Sequence, residues 1–417
     1  MRNFKFIAVA LVAMLGFTAC DNECNHEFIE HDFTKELVGT WTTLNGELAE
    51  AMVIKADGSF TTTGVMKGGY LYEEKGTIKV VNNKVTLAFE GDKDTFEGRL
   101  EFVAGKSLSL VMFDDNAARL TYDYCENDLS EEIVGMWVCQ NSFANAENDM
   151  LIQTFNEDGT SIMTGYISDM EDFVTNAGGS TYKVIGDLFI NILPTDAVAG
   201  GVPPYMAMRL DYTPNGTGYC DIMTFTHFLA DGTIGFTDTF LRIKQSLDLP
   251  GQKYDYIKTF VSNVKGEDKD IPFLNTSFNF AKMDGSIIDK FLKSTLFAVE
   301  FPNANTFKCS FLAEGQSGSI TAPIELEGNK MTIKMSANDS AYQDVVVYTF
   351  QDQDNTQMHL YMHTTSFEKF FSNTAVAIML GSGQLDKNDA EAIAGVYNTV
   401  ANAVESINLS LVMTKSK

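Results

Sequence analysis

An internal repeat constrains the fold of this chain more than any other feature. The segment Leu37–Trp41 (LVGTW) recurs as Ile133–Trp137 (IVGMW), and these two segments hold the only two tryptophans among the 417 residues. A chain of this length is too long for one small domain, and self-similarity at a fixed spacing is the signature of repeated domains. The repeat therefore predicts domains in tandem.

Each copy continues with strand, turn and strand. Asp57-Gly58 and Asp158-Gly159 interrupt β-type runs, and Asp-Gly in that context predicts a hairpin because type I′ turns need positive φ at their centre. A second hairpin pattern follows at 77–87 and again at 181–191, and a third copy of it lies at 324–334. Three related β domains in tandem are the simplest interpretation.

A basic residue lies on the alternating strand that closes each copy, namely Arg119, Arg242 and Lys415. With the Gly-x-Trp opening, this pattern resembles the lipocalin and calycin barrels, whose first-strand tryptophan packs at the closed end under an arginine from the last strand. The resemblance implies that the glycine bends the backbone into the barrel, the indole plugs the floor, and the guanidinium stacks on the indole. The residues given these structural roles are Gly39, Trp41 and Arg119 in the first copy and Gly135, Trp137 and Arg242 in the second.

The third copy departs from this pattern. It has no tryptophan, and its sequence predicts a helix near 287–296, another near 366–380 and a third that begins at Asp386 and has Ile393 to Ile407 on its apolar face. These helices either pack against a barrel or form a lid or partner-binding face. The predicted fold class is mainly β, with tandem antiparallel lipocalin-like barrels and a few helices mostly in the C-terminal domain. The predicted domains are 33–127, 128–247 and 276–417, with 248–275 as a linker.

The first residues predict an export signal. Arg2 and Lys5 precede the apolar stretch 6–17, which is too short to span a bilayer, and Thr18-Ala19 supply the small residues before Cys20. Residues 1–19 resemble a bacterial lipoprotein signal peptide. The resemblance implies that Cys20 becomes the lipidated N-terminus, carrying acyl chains such as palmitate, and that 20–32 form a tether. An ordinary secretory signal with a chance cysteine is the alternative.

The residues after Cys20 and the overall charge predict where the protein resides. Asp21-Asn22-Glu23 resembles the surface-export signal of lipoproteins in the Bacteroidota, so we expect a lipid anchor in the outer membrane at the cell surface, with the periplasmic face as the alternative. The chain has 30 Lys and Arg against 56 Asp and Glu, a net charge of −26. Such a field repels nucleic acid and anionic membrane surfaces. Membrane contact is thus expected through the anchor alone.

Sequence motifs for chemistry are few. His359 and His363 lie on one face of an alternating strand, where they could bind a metal or haem iron; a solvated or lumen-lining face is the alternative. Gly315-Gln316-Ser317-Gly318 lacks the nucleophile-elbow spacing. Cys125 and Cys139 could pair in an oxidising compartment. We therefore expect no catalytic residue, metal or cofactor, and predict that the protein is not an enzyme.

Two functions fit these patterns. In the first, a surface-tethered lipoprotein binds a small apolar or amphipathic molecule, or a glycan fragment, in a barrel lumen, and the third domain is the favoured binding domain. The 31 phenylalanines, 15 tyrosines and 19 methionines would supply an adaptable lining. In the second, solid barrels form a structural module or dock an envelope protein.

Overall fold

The computed structural model describes most of the chain after the predicted tether. The described residues are 33–113, 119–140, 150–167, 172–175, 179–194, 198, 203–216, 221–273, 276–283, 285–313 and 316–417. The predicted signal peptide (1–19), the lipidation site Cys20 and the tether (20–32) lie outside these residues.

Barrel 1 is a closed ring of eight antiparallel strands that follows a short helix, α1 (Phe33–Glu36). Every strand pairs with the next in sequence, and the ring closes where Thr40 of the first strand pairs with Cys125 of the eighth. The strands are β1 (Gly39–Leu44), β2 (Leu48–Ile54), β3 (Ser59–Met66), β4 (Tyr70–Val81), β5 (Lys84–Phe89), β6 (Thr95–Val103), β7 (Ser107–Met112) and β8 (Arg119–Cys125).

Barrel 2 has the same ring with one extra strand. Its second strand pairs with both the first and the third, and its last strand pairs back onto the first, while β12 pairs with the third strand. The strands are β9 (Gly135–Gln140), β10 (Met150–Phe155), β11 (Thr160–Ile167), β12 (Asp172–Thr175), β13 (Ser180–Ile185), β14 (Leu188–Ile192), β15 (Tyr205–Thr213), β16 (Ile222–Phe228) and β17 (Ile234–Ile243).

Barrel 3 is again a closed antiparallel ring of eight strands, with a separate two-stranded hairpin and the longer helices. The ring strands are β18 (Gln252–Gly266), β21 (Ala298–Asn303), β22 (Thr306–Ala313), β23 (Gln316–Glu327), β24 (Lys330–Ile333), β25 (Val345–Gln351), β26 (Gln357–Met362) and β27 (Val404–Lys415). The hairpin is β19 (Asp270–Phe273) with β20 (Thr276–Asn279), the helices are α2 (Gly285–Ser294), α3 (Thr364–Gly381) and α4 (Ala390–Ala403), and 3₁₀ turns cover Phe280–Lys282 and Met335–Ala337.

The predicted fold class, mainly β with tandem antiparallel barrels and helices mostly in the third, is confirmed. The predicted linker at 248–275 needs correction, because β18 lies within this range and forms the first strand of barrel 3. The predicted start of the last helix at Asp386 is also corrected. The Asp389 carboxylate is the N-cap of α4 and accepts from the Ala392 N–H, and Ile407 belongs to β27.

The Asp-Gly hairpins form, but with another turn type. Gly58 has φ +80° and Gly159 has φ +79°, while the aspartates before them have negative φ. Each aspartate accepts hydrogen bonds from the residue after the glycine, and these bonds are the main cause that lowers the pKa of Asp57 and of Asp158. The turn is a type I turn followed by a left-handed glycine, which also gives a tight hairpin.

Neighbouring barrels pack wall to wall. The outer faces of β2 and β3 meet β14, β15 and β16, and the backbones approach so closely that a Cβ on Gly232 would clash with the Gly46 carbonyl oxygen. Barrels 2 and 3 meet through β9, β10 and β17 against β25 and β26. The residues of the first contact are Ala49, Ala51, Val65, Leu188, Ile190, Ala207 and Phe228, and those of the second are Val138, Ile152, Ile243, Tyr348, Phe350 and Tyr361.

Two further observations bear on the sequence predictions. Cys125 and Cys139 form no disulfide with each other, and burial is the main cause that raises the pKa of each thiol, to about 11 and about 12. None of the described helices is both long and apolar enough to cross a membrane.

Candidate functional site

The two ends of barrel 3 are built differently. At one end, short turns join β21 to β22, β23 to β24, and β25 to β26. At the other end, the chain leaves the ring for long connections that contain the β19–β20 hairpin, α2, α3 and α4. The helices therefore cover one mouth of the barrel, and the turns close the other.

An apolar cavity of about 80 Å³ lies beneath these helices. Its walls combine inward-facing barrel residues with one face of α2 and one face of α3. Phenylalanine and aliphatic side chains together make up most of the lining, which includes Phe278, Phe291, Phe297, Phe307, Phe311, Phe367, Phe370 and Phe371 together with aliphatic residues such as Ile288, Ile320, Ile333, Val345, Leu409 and Leu411.

Helical periodicity explains why these side chains converge. On α3 the lining residues Phe367, Phe370, Phe371, Thr374 and Ile378 are three or four positions apart, so they share one face. Residues Ile288, Phe291 and Leu292 of α2 follow the same spacing. One face of α2 and one face of α3 thus point into the barrel mouth.

Edge-to-face contacts between phenylalanines hold α3 over the mouth. The Phe371 ring lies 5.1 Å from the Phe278 ring and 5.6 Å from the Phe280 ring, and Phe370 lies 6.3 Å from Phe297. Such pairs contribute about 0.5–1.5 kcal/mol each beyond the area that they bury. The α3 face is consequently anchored to both the β20 region and the start of β21.

Each polar side chain in the lining has a hydrogen-bond partner within the protein. The Thr295 hydroxyl donates to the Leu292 carbonyl (3.0 Å), and the Thr374 hydroxyl donates to the Phe370 carbonyl (2.8 Å). The Asn373 amide donates to the Gln343 carbonyl (2.8 Å) and its carbonyl accepts from the Gln343 N–H (3.0 Å). The cavity therefore offers a guest an apolar surface and van der Waals contacts.

The predicted floor residues of barrel 2 lie together. Gly135 has φ +134°, a conformation that favours glycine, and the fully buried Trp137 donates its Nε1–H to the Ile133 carbonyl (2.7 Å). The Arg242 guanidinium carbon lies 4.6 Å from the Trp137 ring centroid, and Arg242 also donates to the Glu132 carbonyl. This arrangement joins the first and last strands of the barrel at its floor.

Barrel 1 has the same floor without the arginine. Gly39 has φ +144° and Trp41 donates to the Leu37 carbonyl (2.9 Å), but Arg119 is exposed and pairs with Glu101. The predicted stacking of Arg119 on Trp41 is thus wrong. Tyr124 takes that place, because β8 pairs it with Trp41 in the register that pairs Arg242 with Trp137, and its ring lies 5.0 Å from the indole.

In barrel 3 a tyrosine replaces the tryptophan. Tyr254 on β18 is fully buried, pairs with Lys415 of β27 and accepts a hydrogen bond from Gln351 Nε2 (2.7 Å). The sequence patterns did not predict a floor in this copy, although Leu249-Pro250-Gly251 before Tyr254 repeats the apolar-then-glycine opening with one extra residue. That signal would have placed β18 correctly.

The histidine pair is not arranged as a metal site. Met358, Leu360 and Met362 of β26 lie in the barrel 3 core, so His359 is on the outer face, and it is buried there instead of being solvated. Burial, helped by the charge of Lys258, lowers the His359 pKa to about 4, and His363 Nε2 lies 3.1 Å from the Ser366 hydroxyl at the start of α3. Among the described residues, no three His, Cys, Asp or Glu side chains are grouped to hold a metal ion.

Comparisons with known proteins add little. No protein-family model and no curated protein matches the chain. Five solved chains match, among them the structure of intact Ap-TbpB with its N and C lobes, at 11% sequence identity and a TM-score of 0.22. The match covers 88% of this chain and spans 66% of the length of that one, so this chain spans just under two thirds of it. At that score the likeness carries no argument about fold or function.

Proposed function

We propose that this protein is a lipid-anchored binding protein of the outer membrane, displayed at the cell surface, that holds a small apolar molecule or the apolar part of an amphipathic one in barrel 3. The observation that carries the proposal is the cavity of about 80 Å³ lined by phenylalanines and aliphatic side chains under α2 and α3. Binding there needs no catalytic group.

The lining favours an apolar or amphipathic ligand over a glycan fragment. A glycan fragment carries many hydroxyls, which lose hydrogen bonds to water when they enter an apolar cavity. Since Thr295, Asn373 and Thr374 are already hydrogen-bonded within the protein, they leave little to compensate a sugar. A hydrocarbon or aryl group fits the site without that cost.

The size of the cavity limits the guest. An engineered cavity of about 150 Å³ in another protein binds benzene, so about 80 Å³ accommodates only a short hydrocarbon segment without rearrangement. A longer acyl chain must extend between α2 and α3 or displace phenylalanine side chains of α3. We expect an amphipathic ligand to bury its apolar tip in the cavity and keep its polar end near the helices.

Native mass spectrometry of the full chain, purified gently from its own cells, tests the binding. The wild type should carry a reproducible added mass. Ile320→Trp, which fills the cavity wall, should lose it, whereas Ile234→Trp, on an exposed side chain of barrel 2, should retain it. A bare mass for all three proteins would instead favour the structural or protein-docking module.

Anchoring and display are tested separately. Metabolic labelling with radioactive palmitate should label the wild type and not Cys20→Ala. Protease added to intact cells should cleave the anchored protein if it is displayed outside. Labelling without cleavage would place the protein on the periplasmic face, and no labelling of the wild type would overturn the lipid anchor.

A further inference from the structure

A carboxyl group is buried inside barrel 1. Glu50 is only 4% exposed, and it lies on β2 two residues before Met52, which belongs to the barrel core together with Ile54. Because side chains alternate along a strand, Glu50 faces the lumen with them. A carboxyl group in such a place needs partners, since burial of an unpaired charge is costly.

Two tyrosines supply hydrogen bonds to this carboxyl group. Tyr72 of β4 donates to one oxygen of Glu50, and Tyr122 of β8 donates to the other. Burial nevertheless raises the pKa of Glu50 to about 7, against the lowering effect of the two hydroxyls. Gly64 makes room for the arrangement, because a Cβ there would lie 2.8 Å from the Tyr72 hydroxyl oxygen.

A second carboxyl group and an unpaired hydroxyl lie in the next row of the same inner face. Glu50, Gly64 and Tyr72 are cross-strand neighbours, and the adjacent row places Thr62 opposite Glu74. Thr62 is 3% exposed, and its Oγ1 has no hydrogen-bond partner in the part of the chain that the structure describes. Directly opposite and diagonal neighbours on one face lie within reach of long side chains.

Acidic groups continue from this cluster towards solvent. Glu74 is half-buried, and its pKa is raised first by burial and then by the charge of Asp92, which is exposed. The charge of Glu74 in turn contributes to the raised pKa of Glu50. The charged and titratable groups that act on Glu50 are thus Tyr72, Tyr122 and Glu74, and none of them carries a positive charge.

We propose that the lumen of barrel 1 binds a primary ammonium group, held by Glu50, Glu74 and the Thr62 hydroxyl. An ammonium has three N–H donors and a positive charge. The cluster offers three acceptor groups: the carboxylates of Glu50 and Glu74, and the Thr62 hydroxyl oxygen, which has no hydrogen-bond partner among the described residues. These three groups match the three N–H donors of the ammonium, and the bonds to the carboxylates are charge-assisted. This site is distinct from the apolar cavity of barrel 3 and does not depend on it.

Titration of the full-length chain with ¹³C-methylammonium, followed by NMR line broadening, tests this assignment. At pH 8 the wild type should bind it saturably. Glu50→Gln should weaken the apparent affinity at least tenfold, and Thr62→Val should weaken it several-fold. Glu97→Gln, which removes an exposed carboxylate paired with Lys84 on the barrel wall, should leave it unchanged.

Competition and pH decide which feature of the cation is recognised. Lowering the pH from 8 to 5 should weaken binding at least tenfold, because protonation of Glu50 removes its charge. Tetramethylammonium, which has no N–H donor, should not compete. Equal competition by tetramethylammonium or by potassium, or unchanged binding to the Glu50→Gln variant, would overturn the proposal.

Discussion

Barrels 1 and 3 have the same ring of eight antiparallel strands and opposite interiors. Barrel 1 places Glu50 between two tyrosines in its lumen, whereas barrel 3 encloses a cavity whose polar side chains are all bonded within the protein. The strand ring fixes which residues point inward, and the residues at those positions fix the chemistry. One architecture can therefore carry a polar and an apolar site in the same chain.

The connections between strands account for part of this difference. In barrel 1 the link from β2 to β3 is a tight turn at Gly58, and short links are found elsewhere around the ring. In barrel 3 the link from β26 to β27 contains both α3 and α4. A helix laid across a mouth brings apolar side chains from outside the sheet, which a short turn cannot do.

The largest predicted effect tests whether the barrel floors are equivalent. Trp41→Ala and Tyr254→Ala each remove a fully buried ring, and each should destabilise its own barrel by about 3–5 kcal/mol. Hydrogen exchange resolved by mass spectrometry should show faster exchange in the strands of the barrel that carries the change. A loss below about 1 kcal/mol for Tyr254→Ala would mean that barrel 3 has no comparable floor.

The buried carboxyl group of barrel 1 should make that barrel pH-sensitive. Folding raises the Glu50 pKa from 4.5 to about 7, so the protonated form is favoured in the fold, and the contribution of Glu50 to stability falls as the pH rises through this range. At about 1.4 kcal/mol per pKa unit, Glu50→Gln should stabilise barrel 1 by about 3 kcal/mol at pH 8 and hardly at all at pH 4.

Urea denaturation followed by Trp41 fluorescence, in a Trp137→Phe background, measures this effect. Glu97→Gln serves as the control, because that side chain is half-exposed on the outer wall. Equal stabilisation at both pH values would show that Glu50 titrates normally and would remove the contrast between the two barrels.

Adding one methylene to each interior should change the stability of the two barrels in opposite directions. Val345→Ile extends into the barrel 3 cavity and should stabilise it by about 0.8 kcal/mol, the value of one buried methylene. Val85→Ile adds the same group to the packed core of barrel 1 and should destabilise it by roughly 1 kcal/mol or more. Hydrogen exchange of each barrel measures both, and a loss in both would indicate that the cavity has no room for the added methyl.

The smallest predicted effect concerns the helices that barrel 1 lacks. Asp389→Ala removes the N-cap of α4, whose carboxylate accepts from the Ala392 N–H at 2.9 Å, and should cost about 1 kcal/mol of helix stability. Asp386→Ala is the matched control, since that side chain bonds only Asn388 outside the helix. Faster exchange in α4 for the first variant alone is expected.

The repeat in the sequence was sufficient to predict tandem β barrels, because Gly-x-Trp and the Asp-Gly turns are local signals. It did not predict the floor of barrel 3, since one inserted residue and a tyrosine for tryptophan hide the match at Tyr254. It also misassigned Arg119. Whether an arginine or Tyr124 meets the indole depends on the register of β8, which strand alternation alone does not specify.

The two candidate sites were predicted to different extents. The helices of the third copy are readable from local spacing, and because that copy departs most from the plain barrel pattern, the sequence favours barrel 3 as the binding domain. Glu50 could not be singled out among 56 acidic residues, because its burial depends on Tyr72 and Tyr122, which are far apart in sequence. Long-range pairing, absent from any local pattern, creates that site.

The way each ring closes has a consequence for the time course of folding. Barrel 1 closes when Thr40 meets Cys125, whereas barrel 3 closes only when Tyr254 meets Lys415, after all three long helices have been made. Joining more distant segments costs more chain entropy and slows folding. We therefore expect barrel 3 to be completed last, so that its cavity phenylalanines stay in water longest and are the residues most exposed to aggregation while the chain matures.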